Sequence, residues 1–438
     1  MNILLPTDVF PPRCGGAGWS AHALASALME HGHRVTALVP QPGARGVARE
    51  DVLGVPTVRY GYRVPPMPFV KNYARHEQMW PRLAQALVDM AGFNRHEPLV
   101  IHAQHVQTTP PAVLAGQRLG VPVVVTVRDH WPWDYFATGL HGDRVPYPRQ
   151  SAVSLVTDFV ARLGPVRGLA ALPAIPYVLA HVRRRQHFLR QADAVIAVSR
   201  YIAEKLRTIV PSERVHVIPN MVDVEAIAYT VAEPPHGIAV DAPFLLFVGK
   251  LERNKGAHLL VDVFRALKDD GQSTEHRAQS VEYKHITSSC QLVVCGTGPL
   301  RPFLEQELTA LGVQARFLDW TAHDDVLRLM ARCELLLFPS AWGEPLSRVP
   351  LEASACGAPI LAMPTGGTAD IIIDGLNGAL EPTPEGFARR LAALLAAPEQ
   401  RQSLGMAARQ AAFERFGAER VVPQVEALYQ DVIQSVRH

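Results

Sequence analysis

Two carboxylates, Glu344 and Glu352, punctuate the chemically densest stretch of the chain, WGEPLSRVPLEASACGAPILA, residues 342–362. Pro345 and Pro350 are tolerated only ahead of a helix or in its first turn, which predicts a helix beginning near Ser347. Gly357 then caps it, and Pro359 forbids its continuation. Glu344 therefore falls in the loop before the helix and Glu352 inside it. The backbone N–H groups from Leu346 to Val349 would form a positive dipole end suited to a diphosphate. The flanking carboxylates could then hold hydroxyl groups of a sugar and of a ribose. An isolated pair of this kind would be better read as a capping glutamate and a solvated helix glutamate.

Other stretches supply positive charge and open backbone. Gly249, Lys250 and Lys255 lie in VGKLERNKG, directly after the apolar run FLLFV. Loop lysines are ordinarily solvated, but a position at the end of a buried strand favours contact with phosphate. VCGTGPL sets Gly296, Gly298 and Pro299 between a strand and a helix, where missing side chains allow either a close nucleotide approach or a tight turn. It is not a full GxGxxG, so a dinucleotide site is poorly supported. No Asp-x-Asp occurs, so a metal-bridged diphosphate is not suggested, and no cofactor is expected.

The elements that must position these residues follow from length and pattern. A chain of 438 residues predicts two or three domains at roughly 150 residues each. With 48% hydrophobic and 19% charged residues it has ample material for packed cores. A net charge of +2 argues against nucleic acid as a partner. The five cysteines form no CxxC, which fits unpaired thiols in a reducing cytosol. MNILLPT lacks a basic leader region and reads as a buried first strand, not a secretory signal.

Short apolar runs alternate with helical patterns: NILLP, RVTALVP, PLVIHA, VPVVVTV and DAVIAVS in the first half, and FLLFVGK, QLVVCG, ARFLDW, ELLLFPS and PILAMP in the second. Such alternation predicts parallel sheets covered on both faces. Helices are expected from Trp19 to Glu30, Ala257 to Lys268, Leu300 to Leu311 and about Glu419 to Ser435. The proline-rich segment near residues 232–243 suits a linker. The polar stretch 269–289 reads as a surface insertion. The expected division is 1–225, a linker at 226–243, 244–415, and a final helix at 416–438 packing back towards the first domain. Two doubly wound α/β domains of this kind place a ligand crevice at the carboxyl ends of their sheets.

Taken in order, the GG loop, GHRV, ADAVIAVSRYIAEKL, VIPNMVD, VGKLERNKG, VCGTGPL, LLLFPS and the Glu344–Glu352 segment resemble the family 4 glycosyltransferases along most of the chain. The resemblance implies the GT-B architecture, two Rossmann-like domains with an interdomain cleft, and sugar transfer with retention of configuration. It further implies that Lys250 and Lys255 grip the donor diphosphate, Lys250 departing from the family's usual arginine. Glu352 would bond the ribose and Glu344 the donor sugar near the reacting carbon. Leu346 and Ser347 would offer main-chain donors to the phosphates, and Gly249, Gly296, Gly298 and Pro299 would line the nucleotide. Gly15 and Gly16 resemble the loop facing diphosphate and acceptor, with a plain turn before a helix as the competing reading. In TVRDHWPW, Arg128 occupies the family's usual histidine position, followed by Asp129 and His130. All three are acceptor-side candidates, His130 also reading as a rim residue. An arginine there can stabilise an anion but cannot act as a general base near neutral pH.

The expected function is therefore transfer of a sugar from a nucleotide-sugar donor to a hydroxyl of a sugar, lipid-linked or small-molecule acceptor, without a metal. Lys250, Lys255, Glu344 and Arg128 would carry the catalysis. A nucleotide-sugar epimerase or a phosphorylase on the same scaffold, a non-catalytic nucleotide-sugar binder and, more distantly, a Rossmann oxidoreductase are the rivals. A cytoplasmic location is expected. For the stretch LAALPAIPYVLAHVRRR, a peripheral contact with the inner membrane face competes with a buried helical hairpin ending in solvated arginines. Its prolines and His181 argue against a spanning helix.

Overall fold

The computed structural model describes every residue except 13, 68–69, 93–96, 106, 143–144, 147–149, 239–242, 271–289 and 437–438. All ten expected apolar runs form strands, and five of them are buried along their whole length, as central parallel strands covered on both faces must be. The chain divides into two units, residues 1–142, 147–221 and 418–438 in one, 143–146 and 222–417 in the other.

In the first unit, β1 (Asn2–Pro6), α1 (Gly16–Glu30), β2 (Arg34–Pro42), β3 (Gly46–Val52), β4 (Val55–Tyr62), α2 (Trp80–Ala91), β5 (Leu99–Ala103), α3 (Thr109–Leu119) and β6 (Val123–Val127) come first. They are followed by α4 (Ala152–Leu163), α5 (Pro165–Ala170), α6 (Ile175–Arg190), β7 (Ala194–Ala197), α7 (Arg200–Leu206) and β8 (Val215–Val217). The sheet order is β8-β7-β6-β5-β1-β2-β4-β3, parallel except for the β3–β4 hairpin. Helix α1 begins at Gly16, three residues before the expected Trp19, because Gly15 supplies an extended N-cap. Gly32 follows it at φ 82°, the left-handed conformation that ends a helix. Strands that escaped the sequence include the β3–β4 hairpin, whose turn is Leu53-Gly54 and not Asn-Gly, and the three-residue β8.

The second unit opens with α8 (Val224–Val231), N-capped by Asp223 through Ala226 N–H. Then come β9 (Phe244–Val248), α9 (Leu259–Asp270), β10 (Gln291–Cys295), α10 (Arg301–Ala310), β11 (Ala315–Leu318), α11 (His323–Met330), β12 (Leu335–Phe338), α12 (Arg348–Cys356), β13 (Ile360–Ala362), β14 (Ala379–Leu380), α13 (Pro384–Ala396) and α14 (Pro398–Phe416). All six strands are parallel, in the order β11-β10-β9-β12-β13-β14. Because α8 packs on α11 and α12, the second unit takes up the chain at Val222, and the linker expected from residue 226 is corrected to the chain after this helix. Of the insertion expected at 269–289, all but the end of α9 lies outside the described residues.

The last helix, α15 (Ala418–Val436), belongs to the first unit. Val421, Val422, Val425, Leu428, Tyr429 and Val432 are buried in one apolar cluster with Ile3, Leu5, Leu24 and Leu28. Tyr429 also reaches across the sheet, its hydroxyl 2.6 Å from His102 Nδ1, while His102 Nε2 lies 2.7 Å from Thr126 Oγ1. Among the described residues, no helix is long and apolar enough to cross a membrane.

Candidate functional site

In the second unit the carboxyl ends of β9, β10 and β12 bring most of the predicted residues together. Glu344 is 2% exposed, and its Oε1 accepts hydrogen bonds from Lys255 Nζ at 2.8 Å and Ser340 Oγ at 2.7 Å. Lys255 is half-buried, with Nζ 4.7 Å from the Trp342 ring centre, so aromatic and carboxylate together hold the ammonium. The Glu344 carbonyl accepts from Gly367 N–H at 2.6 Å, and a Cβ at Gly366 would stand 2.3 Å from the same oxygen. This loop is thus held by main-chain contact with residues 366–367 as well as by the lysine. Gly256, at φ 70°, brings the Lys255 loop against Pro339, whose oxygen would be 1.6 Å from a Cβ. The lysine is set by backbone packing as well as by charge.

Helix α12 starts where the prolines require. Ser347 is its N-cap without a side-chain cap bond, and Gly357 ends it at φ 75°. Glu352 is 5% exposed and receives Arg348 Nη2 at 2.7 Å and His323 Nε2 at 2.9 Å on Oε1. Burial alone would raise its pKa, but Arg348 and His323 overcome this and hold it at about 2. The carboxylate is an ionised acceptor at all ordinary pH values. Leu346 is buried before the helix. Lys250 is exposed at the rim, beside Gly249.

Gly296 and Gly298 have a structural reason to be glycine. A Cβ at Gly296 would lie 1.9 Å from the Gly249 oxygen, and one at Gly298 2.5 Å from the Leu251 oxygen. Leu251 N–H donates to Thr297 and Leu300 N–H to Leu251, stitching the two loops together. The tight-turn reading accounts for both glycines, while Pro299 is exposed next to them.

In the first unit, Gly15 and Gly16 are exposed at the start of α1. Arg128, half-buried past the end of β6, donates from Nε to Asn220 Oδ1 at 2.9 Å and from Nη1 to the Gln104 side chain. Asp129 accepts from Trp131 N–H at 2.9 Å, and burial pushes its carboxyl up to about 6. His130 is buried, with its ring 6.2 Å from Trp133 and 5.9 Å from Tyr201; it is corrected from a rim residue to part of the loop's packing. His105, behind this row, lies 2.8 Å from Thr7 Oγ1 and 3.2 Å from Asp8 Oδ1, and burial lowers its pKa to about 3.

Sequence reasoning missed Ser340, Trp342, His323 and Arg348 in the second unit and Gln104, His105 and Asn220 in the first. Arg348 stands four residues before Glu352, a spacing that could have found it. His323 is distant in sequence from Glu352 and left no local signal; Asn220 lies within VIPNMVD, but its partner Arg128 is 92 residues away.

Two family profiles match in tandem: the one described as Glycosyltransferase Family 4 over residues 14–226, and the one described as Glycosyl transferases group 1 over residues 230–411. Similar proteins include a D-inositol 3-phosphate glycosyltransferase from Xylanimonas cellulosilytica, 30% identical over 281 residues, 58% of this chain and 60% of that protein. An alpha-maltose-1-phosphate synthase from Mycolicibacterium smegmatis is 28% identical over 55% of this chain and 64% of its own. These matches span less than two thirds of the relatives' length. Among solved structures, Anabaena HepE in complex with UDP-glucose superposes with a TM-score of 0.66 at 18% identity, covering 98% of this chain and 100% of that one. Sucrose-phosphate synthase from Thermosynechococcus elongatus does so with 0.67 at 18%, covering 99% of each. The two parallel α/β units are those of the GT-B fold, and the chain belongs to the family 4 glycosyltransferases.

Proposed function

We propose that this protein transfers a sugar from a nucleotide-sugar to an acceptor hydroxyl with retention of configuration, with a uridine diphosphate sugar as the first donor to try. The observation that carries the reading is the buried Glu344 carboxylate held by Lys255 and Ser340 immediately ahead of the α12 amino end. Its hydrogen bonds run to the Lys255 and Ser340 side chains, which tie the carboxylate to the loops after β9 and β12 and not to the helix as a cap. Support for uridine comes from HepE, solved with UDP and with UDP-glucose.

As the glycosidic bond breaks, negative charge grows on the departing diphosphate. Lys250, Lys255 and the N–H groups at Leu346 and Ser347 would meet it with fixed positive charge and dipoles. Glu344 would orient the donor sugar through a hydroxyl while keeping Lys255 in place, and Glu352, already ionised, would accept from the ribose. Gly249 and Pro299 would border the nucleotide. Arg128 and Asp129 are the proposed acceptor contacts, and exposed Gly15 and Gly16 would let the diphosphate approach the α1 amino end. Arg128 stays charged throughout and contributes electrostatically.

Product analysis tests this. Incubation with UDP-glucose and candidate sugar or small-molecule acceptors should release UDP and yield a glycoside with the donor's anomeric configuration by NMR. An isomerised sugar nucleotide would establish an epimerase instead, and Glu344→Ala retaining full transfer would remove the main assignment.

A further inference from the structure

The outer surface of α4 and α5 is apolar and bare. Val153 is 78% exposed, Val166 80%, Leu169 57% and Leu163 44%. Along α4, Val153, Val156, Val160 and Leu163 recur at three and four residues, so they form one stripe. The opposite face of the same helix, Leu155 and Phe159, is buried with Ala171 and Val178 in a small separate core. Helix α4 is therefore apolar on two sides, with only one of them used for folding. Gly164, at φ 81°, turns the chain, and Gly168 lets α5 lie against α4, since a Cβ there would sit 2.6 Å from Val160 Cα. The close approach packs α5 on α4, and the exposed apolar residues continue from Leu163 to Val166 and Leu169. The stretch LAALPAIPYVLAHVRRR contributes only its first residue, Leu169, to this stripe; beyond it, α6 buries Val178, His181, Val182, Arg185 and Leu189.

The charge on this segment selects the occupant. Residues 151–191 hold six arginines and one acid, Asp158, in a chain whose net charge is only +2. Asp158 is buried and accepts from Gly142 N–H at 2.6 Å, so the segment shows solvent no carboxylate. Arg167 is exposed between Val166 and Leu169, and Arg183 and Arg190 are exposed on α6. A second copy seated by two-fold symmetry would bring like charges together. A water-exposed apolar stripe edged by arginine matches an anionic bilayer, where acyl chains take the valines and leucines and headgroups take the guanidinium.

We propose that the outer face of the α4–α5 hairpin docks the protein on an anionic lipid surface, with Val153, Val156, Leu163, Val166 and Leu169 at the acyl boundary and Arg167 at the headgroups. This does not depend on the transfer reading. Flotation of the full chain with phosphatidylglycerol-containing vesicles at low salt should carry it to the lipid fraction, and pure phosphatidylcholine vesicles should carry less. Val166→Glu with Leu169→Glu should cut the partition coefficient about tenfold or more at an unchanged melting temperature. Arg167→Glu should weaken binding and flatten its salt dependence. UDP binding, measured alongside, should be the same in all variants, which separates this proposal from the donor site. No flotation with phosphatidylglycerol at low salt, undiminished flotation of the double glutamate variant, or a dimer in sedimentation velocity that this variant splits would overturn it.

Discussion

At the scale of single residues, the candidate donor site shows how two buried carboxylates are each given partners. Glu344 and Glu352 are almost equally buried, yet each is satisfied differently, one by a lysine and a serine, the other by an arginine and a histidine. Removing Lys255 would leave Glu344 without its counter-charge. Lys255→Ala is expected to lower kcat/KM about 10²–10³-fold, in steady-state assays with a saturating acceptor. Because Lys255 keeps some solvent contact, the stability cost should stay near about 1–2 kcal/mol by urea denaturation. Glu352 makes a second, pH-dependent prediction. Its folded pKa of about 2 lies below the ordinary 4.5, so its stabilisation is present above pH 4.5 and is lost as pH falls through 2. Glu352→Gln should remove that part of the acid-induced loss in urea midpoints measured across this window. The spacing of the two glutamates and the strand-end lysines was legible in the sequence because prolines and glycines fix the helix start and stop. The partners were not, since Ser340, His323 and Lys255 meet them only through the fold.

Elements position these groups by close main-chain contact, and here glycine decides. The loops after β9, β10 and β12 touch at distances that no side chain permits, and at Gly256 the φ of 70° adds a conformational demand. Gly256→Ala should therefore cost about 3 kcal/mol or more in urea denaturation and displace Lys255, so activity should fall beyond what unfolding explains. Strand runs were readable because buried parallel strands are continuous apolar segments. NILLP, VVVTV and LLLF needed no tertiary information. The β3–β4 hairpin was not readable: β3 is exposed along most of its length, and its Leu53-Gly54 turn lacks the usual residue pair. Helix α8 was hidden by the prolines that follow it, which made the whole segment look like a linker. Within the site, the glycines of VCGTGPL were visible but their cause was not, because it is the neighbouring loop's carbonyls that exclude a side chain.

Over the whole molecule, acid sensitivity should be set by the first unit. Burial keeps His76, His102 and His105 near pKa 3 and His181 near 4, against 6.5 for an ordinary imidazole. Folded pKa values lie below unfolded ones, so the unfolded chain takes up these protons first. Stability is full above pH 6.5 and falls as pH drops from 6.5 towards 3. Urea midpoints from pH 7 to 4 should decline with a slope of more than one proton, and Tyr429→Phe should cost about 1–2 kcal/mol at neutral pH by uncoupling α15 from His102. A flat profile over this range would mean that the histidines are hydrated. The central claim, that the loops at the α12 amino end hold a nucleoside diphosphate, is tested most directly by calorimetric titration of UDP into the wild type and Lys255→Ala in parallel. Saturable one-to-one binding that weakens at least tenfold in the variant is the predicted result. Absence of binding to the folded wild type, or equal affinity in both proteins, would contradict it.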